Sequence, residues 1–299
     1  MDSNLTTSET PEQDVALRVF RAKAPVRDAL APVRRGGGTI GLVPTMGYLH
    51  DGHLSLLQAA RAACDLVVMS LFVNPTQFGP GEDLDRYPRD EERDLRLAGE
   101  AGVDVVFAPS VAEMYPEGFA SRVEVGGNLT AVLDGDRTHR GPEHFRGVTT
   151  VVAKLFNVIG PDVAYFGQKD AQQAAVVRRM ARDLDFPLRI EVLPTVRERD
   201  GLAMSSRNAY LEPADRERAA AISRALATVE REARAGSLQA GLEAGRHELS
   251  AAGIEPEYLE ARDAESLELA AELNGSPVLV AVAARVGAAR LIDNVLISP

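Results

Sequence analysis

The stretch TIGLVPTMGYLHDGHLSLLQAARAACDLVVMSLFV, residues 39–73, decides the fold. TIGLVP (39–44) is a short apolar strand that runs into a proline, and a polar loop containing Gly47 follows. HLSLLQAARAA (53–63) places apolar residues at helical spacing. DLVVMSLFV (65–73) is a strand-sized apolar run bounded by Asn-Pro. Strand, loop, helix and buried strand in that order predict a βαβ unit with parallel strands.

The alternation extends on both sides of this unit. Upstream, residues 14–34 predict a helix that GGG (36–38) breaks. Downstream, 89–102 predicts a helix, 103–109 a buried strand, 145–160 a helix, 163–167 a strand, 170–184 a helix and 188–194 a closing strand. The fold class is therefore α/β, a Rossmann-like parallel sheet with helices on both faces. Such sheets bind ligands beyond the carboxyl ends of their strands, so the loops at 44–52, 74–88 and 167–170 should line one rim and carry the site. Past about residue 195 the alternation stops. Residues 213–252 are rich in Ala, Arg and Glu and read as helical, broken at 235–237, and EYLEARD, VLVAVAARVG and ARLIDNVLI predict three strands. Helices first and strands after suggest a smaller C-terminal α+β domain. The expected division is a disordered tail (1–13), a Rossmann-like domain (14–194) and an α+β lid domain (195–299), with the boundary near Pro194.

Composition excludes several function classes. The 299 residues carry a formal net charge of −11, which argues against a protein that coats nucleic acid but leaves room for a local phosphate site. No apolar run reaches the ~18 residues a membrane helix needs, so no membrane partner is expected. The opening MDSNLTTSETPEQD has neither the basic nor the apolar region of a secretory leader, and a cytoplasmic location is the default expectation. One cysteine, Cys64, excludes an intramolecular disulfide or a Cys-rich zinc site, and its place at the end of an apolar helical run reads as packing. Of 33 basic residues only Lys23, Lys154 and Lys169 are lysines.

Four segments carry chemistry. In PTMGYLHDGH (44–53), a helix starting near Asp51 would point His50 and His53, three apart, the same way. The helix N-terminus adds partial positive charge and free N–H groups, and Gly47 and Gly52 allow close backbone approach. Two imidazoles there suit the phosphates of a nucleotide; the plainer alternative is a pair of capping or surface histidines. A protein-held metal is not expected, because no third ligand is suggested and His139, His144 and His247 lack ligand spacing. Lys169, after one strand and before a helix, is a compact charge suited to a phosphate on the leaving side, or else an exposed surface lysine. Ser205, Ser206 and Arg207 offer hydroxyl donors and a planar fork matched to phosphate, or else a hydrophilic turn. Gln77 and Gln173 both donate and accept, as a hydroxy acid requires, and nothing intrinsic to them excludes ordinary surface amides.

PTMGYLHDGH resembles the signature of the HxGH-type nucleotidyltransferases and, more narrowly, that of the pantothenate synthetase (pantoate–β-alanine ligase) family. FVNPTQF (72–78), FGQKDAQQ (166–173) and DGLAMSSRNAYL (200–211) are similar to three further family segments in the same order, and LVAVAARVGAARLIDNV resembles the family's end. The resemblance covers almost the whole chain after the tail. It implies an ATP-dependent ligase that condenses pantoate with β-alanine through a pantoyl-adenylate, releasing AMP and diphosphate without a protein nucleophile. It implies catalytic roles for His50, His53, Lys169, Ser205, Ser206 and Arg207, with His53 as general acid. It implies an ATP site built from Met46, Gly47, Tyr48, Leu49, His50, Asp51, Gly52, His53, Gly167, Gln168, Lys169, Asp170, Met204, Ser205, Ser206 and Arg207, with the backbone at Val196 against adenine. Gln77 and Gln173 would hold pantoate, Gln77 also approaching β-alanine. Magnesium would travel with the nucleotide, and the chain would form a homodimer. The sequence departs from the family where Gln168 replaces a usual Glu, where Ala171 replaces an aromatic, and across LDGDRTHRGPEHF (133–145), which is longer and leaves Asp134, Arg140 and His144 without roles. Two lower-ranked readings are a superfamily transferase acting on a phosphorylated acceptor and a non-catalytic nucleotide sensor on the same fold.

Overall fold

Apolar residues on both faces of each central strand demand cover on both sides, and helices supply it. The computed structural model describes residues 17–298. The first part runs β1 (Arg18–Phe20), α1 (Lys23–Arg35), β2 (Ile40–Thr45), α2 (Asp51–Ala63), β3 (Leu66–Leu71), α3 (Glu91–Glu100), β4 (Val105–Phe107) and the one-turn α4 (Val111–Met114). It continues through α5 (Pro142–Ile159), β5 (Val163–Gly167), α6 (Ala171–Asp183) and β6 (Arg189–Leu193). The second part holds α7 (Pro213–Ala219), α8 (Ala221–Ala235), α9 (Leu238–Ala251) and the strands β7 (Pro256–Asp263), β8 (Val278–Val286) and β9 (Ala289–Ile297).

The six strands β1–β6 form one parallel sheet in the order β1-β4-β3-β2-β5-β6. Side chains alternate across it. Ile40, Leu42, Val68 and Phe107 pack with Leu30 of α1, Phe156 of α5 and Met180 of α6. Val43, Val67, Met69 and Val106 pack on the opposite face with Leu57 and Ala60 of α2 and Ala98 of α3. Gly41 lets α2 approach closely, since a Cβ there would lie 2.9 Å from the buried Cys64 Sγ.

The N-terminal segment corrects one expectation. The helix predicted over 14–34 begins at Lys23, and Arg18–Phe20 instead pair with Val105–Phe107 as a parallel edge strand. The open edge of β4 offers unpaired backbone groups, and the ladder formed there overrides local helical preference: Arg18 N donates to Asp104 O, and Ala108 N to Phe20 O. The tail expected at 1–13, and positions 14–16, lie outside the described residues.

The second sheet is antiparallel, ordered β7-β8-β9, and backs onto α8 and α9. It meets the first part through the buried Asp134, in the turn before α5. Its carboxylate accepts from Tyr258 Oη at 2.7 Å and from Arg290 Nη2 at 2.9 Å. Burial alone would raise this carboxyl, but the Arg290 guanidinium holds it at about 2.

Arg290→Met should cost about 3–5 kcal/mol in denaturant melts by stranding the Asp134 charge, and an unchanged midpoint would contradict this bridge. A second prediction concerns α5, which runs so close under the turn at 75–77 that a Cβ on Gly147 would sit 2.3 Å from Thr76 O. Gly147→Ala should therefore destabilise by ~1–3 kcal/mol and weaken whatever Gln77 binds, measured by melts and ligand titration together.

Candidate active site

The order of the large sheet reverses between β2 and β5, because β3 and β4 lie to one side of β2 and β5 and β6 to the other. The pair is hydrogen-bonded at Gly41–Val163 and Leu42–Ala164. Beyond their carboxyl ends the two connections diverge, and the crevice this leaves is the site expected of such sheets. A cavity of about 200 Å³ lies there, lined by Met46, His50, Gly52, His53, Asn74, Gln77, Gly167, Lys169, Asp170, Gln173, Val196, Met204, Ser205, Ser206 and Arg207 among others. Lys169, Asp170, Ser205 and Arg207 also line a neighbouring cavity of about 610 Å³ between the two sheets.

Each element presents its side chain for a local reason. His50 is the N-cap of α2: its Nδ1 accepts from Gly52 N at 3.1 Å, while His53 Nδ1 accepts from His50 N at 3.4 Å. The rings lie against each other at a 36° tilt, with centroids 4.1 Å apart. With both Nδ1 atoms acting as acceptors, each neutral ring carries its proton on Nε2 and keeps that N–H free. Burial, followed by Lys169, lowers His50 to about 4, and burial, followed by His50 and Lys169, holds His53 well below the usual histidine range. The nucleotide-free pair is thus neutral at pH 7.

Lys169 sits in the single turn after β5, and the second sheet holds that turn in place. Asn294 of β9, which is buried, donates from Nδ2 to Gln168 O and to Lys169 O at 2.9 Å each, and its Oδ1 accepts from Gln168 Nε2 at 3.1 Å. The neighbouring Asp293 grips Arg197 through two hydrogen bonds of 2.6 and 3.1 Å, on the segment leading to Ser205. Ser205 caps the turn Ser206–Tyr210 by accepting from Arg207 N. Arg207 donates from Nε and Nη2 to Asp83, both at 3.0 Å, and Tyr87 Oη lies 3.3 Å from Ser206 Oγ. The 74–88 loop therefore closes over one side of the cleft.

Gln77 is buried, its Oε1 accepting from Asn74 Nδ2 at 3.0 Å and its Nε2 donating to Met46 Sδ. His144 steadies the same residue: its Nδ1–H donates to Gln77 O at 2.7 Å, and its Nε2 accepts from Arg140 Nη1 at 3.1 Å. Burial, reinforced by Arg140, lowers His144 to about 3, so it too is neutral. Arg140 in turn pairs with Glu82 at 2.8 Å. Asp134, Arg140 and His144, left without roles by the sequence, thus bind the site's walls together.

Five expected residues do not line the cleft. Leu49 is packed in the core against α2, Gly47 and Tyr48 form the turn beneath it, and Asp51 points outward at the first turn of α2. Gln168 turns to Asn294 instead. Asn74 and Tyr87, both in the cleft wall, went unremarked in the sequence although Asn74 lies in the quoted FVNPTQF segment and Tyr87 in the 74–88 loop expected to line the rim. Among the described residues, no group of three or more His, Cys, Asp or Glu is placed to hold a metal. No helix among them is long and apolar enough to cross a membrane.

An α/β sheet with a histidine pair capping the helix after β2, and a lysine facing it from the end of β5, defines an HxGH-type nucleotide-using enzyme. The chain belongs to the pantoate–β-alanine ligase family, whose model matches residues 18–296. It is a ligase that condenses pantoate with β-alanine using ATP. A pantothenate synthetase of Moorella thermoacetica is 54% identical over 284 residues, covering 94% of this chain and 99% of its own. The crystal structure of pantothenate synthetase from Thermus thermophilus is 50% identical with a TM-score of 0.88, covering 94% of this chain and 100% of that one. A pantoate–β-alanine ligase from Francisella tularensis, complexed with β,γ-ATP and β-alanine, is 32% identical with a TM-score of 0.78, covering 94% and 98%.

The histidine geometry sets a pH dependence. His50 titrates at about 4 in the folded protein against 6.5 in the unfolded chain, so between those values the unfolded state binds more protons and stability falls as pH falls. Ring ¹⁵N–¹H spectra of the nucleotide-free protein should show His50 neutral down to about pH 4, and a midpoint near 6.5 would refute the buried, neutral pair.

Proposed function

We propose that this cleft carries out the family's reaction with His50, His53, Lys169 and Ser205–Arg207 on the nucleotide and Gln77 and Gln173 on pantoate. The observation that carries the proposal is convergence: residues from four separate loops, up to 161 positions apart between Met46 and Arg207, line one cavity at the switch point of the sheet. The Francisella relative, crystallised with a nucleotide and β-alanine, supports the same use of the fold.

In this reading the pantoate carboxylate attacks the α-phosphorus of ATP. The bond from that phosphorus to the bridging oxygen breaks, and diphosphate leaves with the electron pair. The β-alanine amine then attacks the acyl carbon, the bond from the acyl carbon to the phosphate oxygen breaks, AMP leaves, and the nitrogen loses a proton to solvent. Substrate atoms do the bond-making, so the protein contributes alignment, worth up to ~7–11 kcal/mol in well-oriented systems, and donors where phosphate charge develops. Lys169 supplies a full positive charge to the leaving side. His50 and His53 supply neutral N–H donors, and the charge of a bound triphosphate would raise both pKa values, bringing His53 toward general-acid duty. Ser205 and Ser206 supply hydroxyl donors, and Arg207 offers Nη1 while Asp83 holds its other edge.

A magnesium ion would enter this site as cargo of the nucleotide, its charge shielding phosphate oxygens, with Asp170 the cleft carboxylate beside Lys169. A water-sensitive mixed anhydride needs a closed site, which the 74–88 loop and the division of the chain near Pro194 into a sheet domain and a lid domain would provide. The same reading includes a homodimer and a cytoplasmic location, both carried by the family resemblance.

Diphosphate release from MgATP should require pantoate, and sustained release with equimolar AMP and pantothenate should require β-alanine as well. Lys169→Ala and His53→Ala should each lower pantoate-dependent diphosphate release about 10²–10³-fold, with the melting temperature nearly unchanged for Lys169→Ala and a cost of about 1 kcal/mol for His53→Ala, which loses the capping bond from His50 N. Near-normal rates in either variant would remove that residue from the mechanism.

A further inference from the structure

Asp94 is a buried carboxylate outside the cleft, on α3, that the reaction above does not use; it is 1% exposed. Its two oxygens accept from consecutive backbone groups, Oδ2 from Tyr48 N and Oδ1 from Leu49 N, both at 2.7 Å. Those residues form the turn that delivers the chain to His50. The turn is left-handed: Gly47 has φ 86°, which glycine adopts freely, and Tyr48, which carries a side chain, is held at the less favourable φ 52°. A Cβ on Gly47 would lie 2.8 Å from Asp94 Oδ2, so the carboxylate sits directly against this backbone. The adjacent Arg93 grips the other side: Nη1 donates to Leu49 O at 2.9 Å, and the guanidinium lies 5.5 Å from the centre of the Tyr48 ring.

We propose that Asp94, assisted by Arg93, is a positioning residue for the ligase reaction, holding the left-handed turn at 47–49 so that His50 and His53 present their N–H groups to the phosphates. The chemistry suits the task. A carboxylate accepts two parallel N–H bonds at once, and charge-assisted bonds of this kind are the stronger sort. Without them the turn would leave two buried N–H groups unmatched and would relax its positive φ at Tyr48. His50 caps α2 through its own backbone and ring, so moving the turn tilts both imidazoles together. Burial raises the Asp94 carboxyl above its ordinary value, and the Leu49 and Tyr48 N–H donors and then Arg93 offset part of that rise. The sequence hides this link, because Asp94 lies in the run RDEERDLRLAGE, where one acid among several reads as a solvated helix face.

The inference rests on the assignment of His50 and His53 to the nucleotide, so His53→Ala is measured in parallel. Asp94→Asn keeps the volume but turns an N–H₂ group toward one of the two N–H donors. It should lower the rate constant for pantoate-dependent diphosphate release at least tenfold, with the KM for pantoate within twofold. The ring ¹⁵N–¹H signals of His50 and His53 should shift or broaden while those of His144 stay in place. Arg93→Met, which removes the bond to Leu49 O and the guanidinium 3.9 Å from Asp94 Oδ1 while leaving both N–H bonds to the carboxylate, should give a smaller change of the same kind and decides the matter if Asp94→Asn does not fold. Unchanged His50 and His53 signals together with an unchanged rate, in a protein where His53→Ala is inactive, would overturn the positioning role. Normal turnover by His53→Ala would overturn the assignment beneath it instead.

Discussion

The parting of β2 from β5 is the constraint on which the rest depends. A parallel sheet must be connected by crossovers, and when successive crossovers run to opposite sides, the loops after two neighbouring strands move apart. Here those loops begin at Thr45 and Gly167, and they carry His50 and Lys169 to opposite walls of one crevice. No single side-chain interaction creates that space. It follows from strand order, and the apolar alternation of β2, β3 and β5 holds the order by burying both faces.

A crevice alone would be too loose for phosphate chemistry, and the second sheet tightens it. Two adjacent residues of β9 do most of this: Asp293 secures Arg197 and so the approach to Ser205, while Asn294 secures the carbonyls of Gln168 and Lys169. Arg290, on the same strand, meets Asp134 from the turn before α5. Buried polar groups of this kind are costly unless every member is partnered, and these are partnered across the two sheets. Gln168 belongs to the same network. Its amide can donate to Asn294 Oδ1 where the carboxylate of a Glu could not, so its departure from the family's usual residue is matched by a local hydrogen bond.

Electrostatics in the cleft divide into two cations, Lys169 and Arg207, and several neutral donors. Desolvation keeps His50, His53 and His144 uncharged, and a fixed hydrogen bond to one ring nitrogen chooses the tautomer of each. Lys169 and Arg207 hold the positive charge, and the acids Asp83 and Glu82 of the 74–88 loop tie Arg207 and Arg140 to that loop. The 74–88 loop and the position of Gln77 are therefore coupled through Arg140, His144 and the backbone of Gln77.

Much of this was legible in the chain itself. Hydrophobic period alone yields the alternating strands and helices from Ile40 onward, the change of character past residue 195 and the three closing strands, because burial of apolar faces is a local demand written into residue order. The motif residues His50, His53, Lys169 and Ser205–Arg207 stood out because their chemistry is matched to phosphate. The short strand at Arg18–Phe20 did not, since three residues have no period and only the open edge of β4 made them extended. Asp94, Asp134, Arg140, His144 and Asn294 were equally silent: each acts on a partner 45 to 156 positions away, and a buried hydrogen bond leaves no mark on the sequence around either end. The sequence by itself determined which segments from Ile40 onward would be strands and which side chains could handle a phosphate. Only the tertiary structure decided how those side chains are aimed, because aim depends on contacts between segments that only the folded chain brings together.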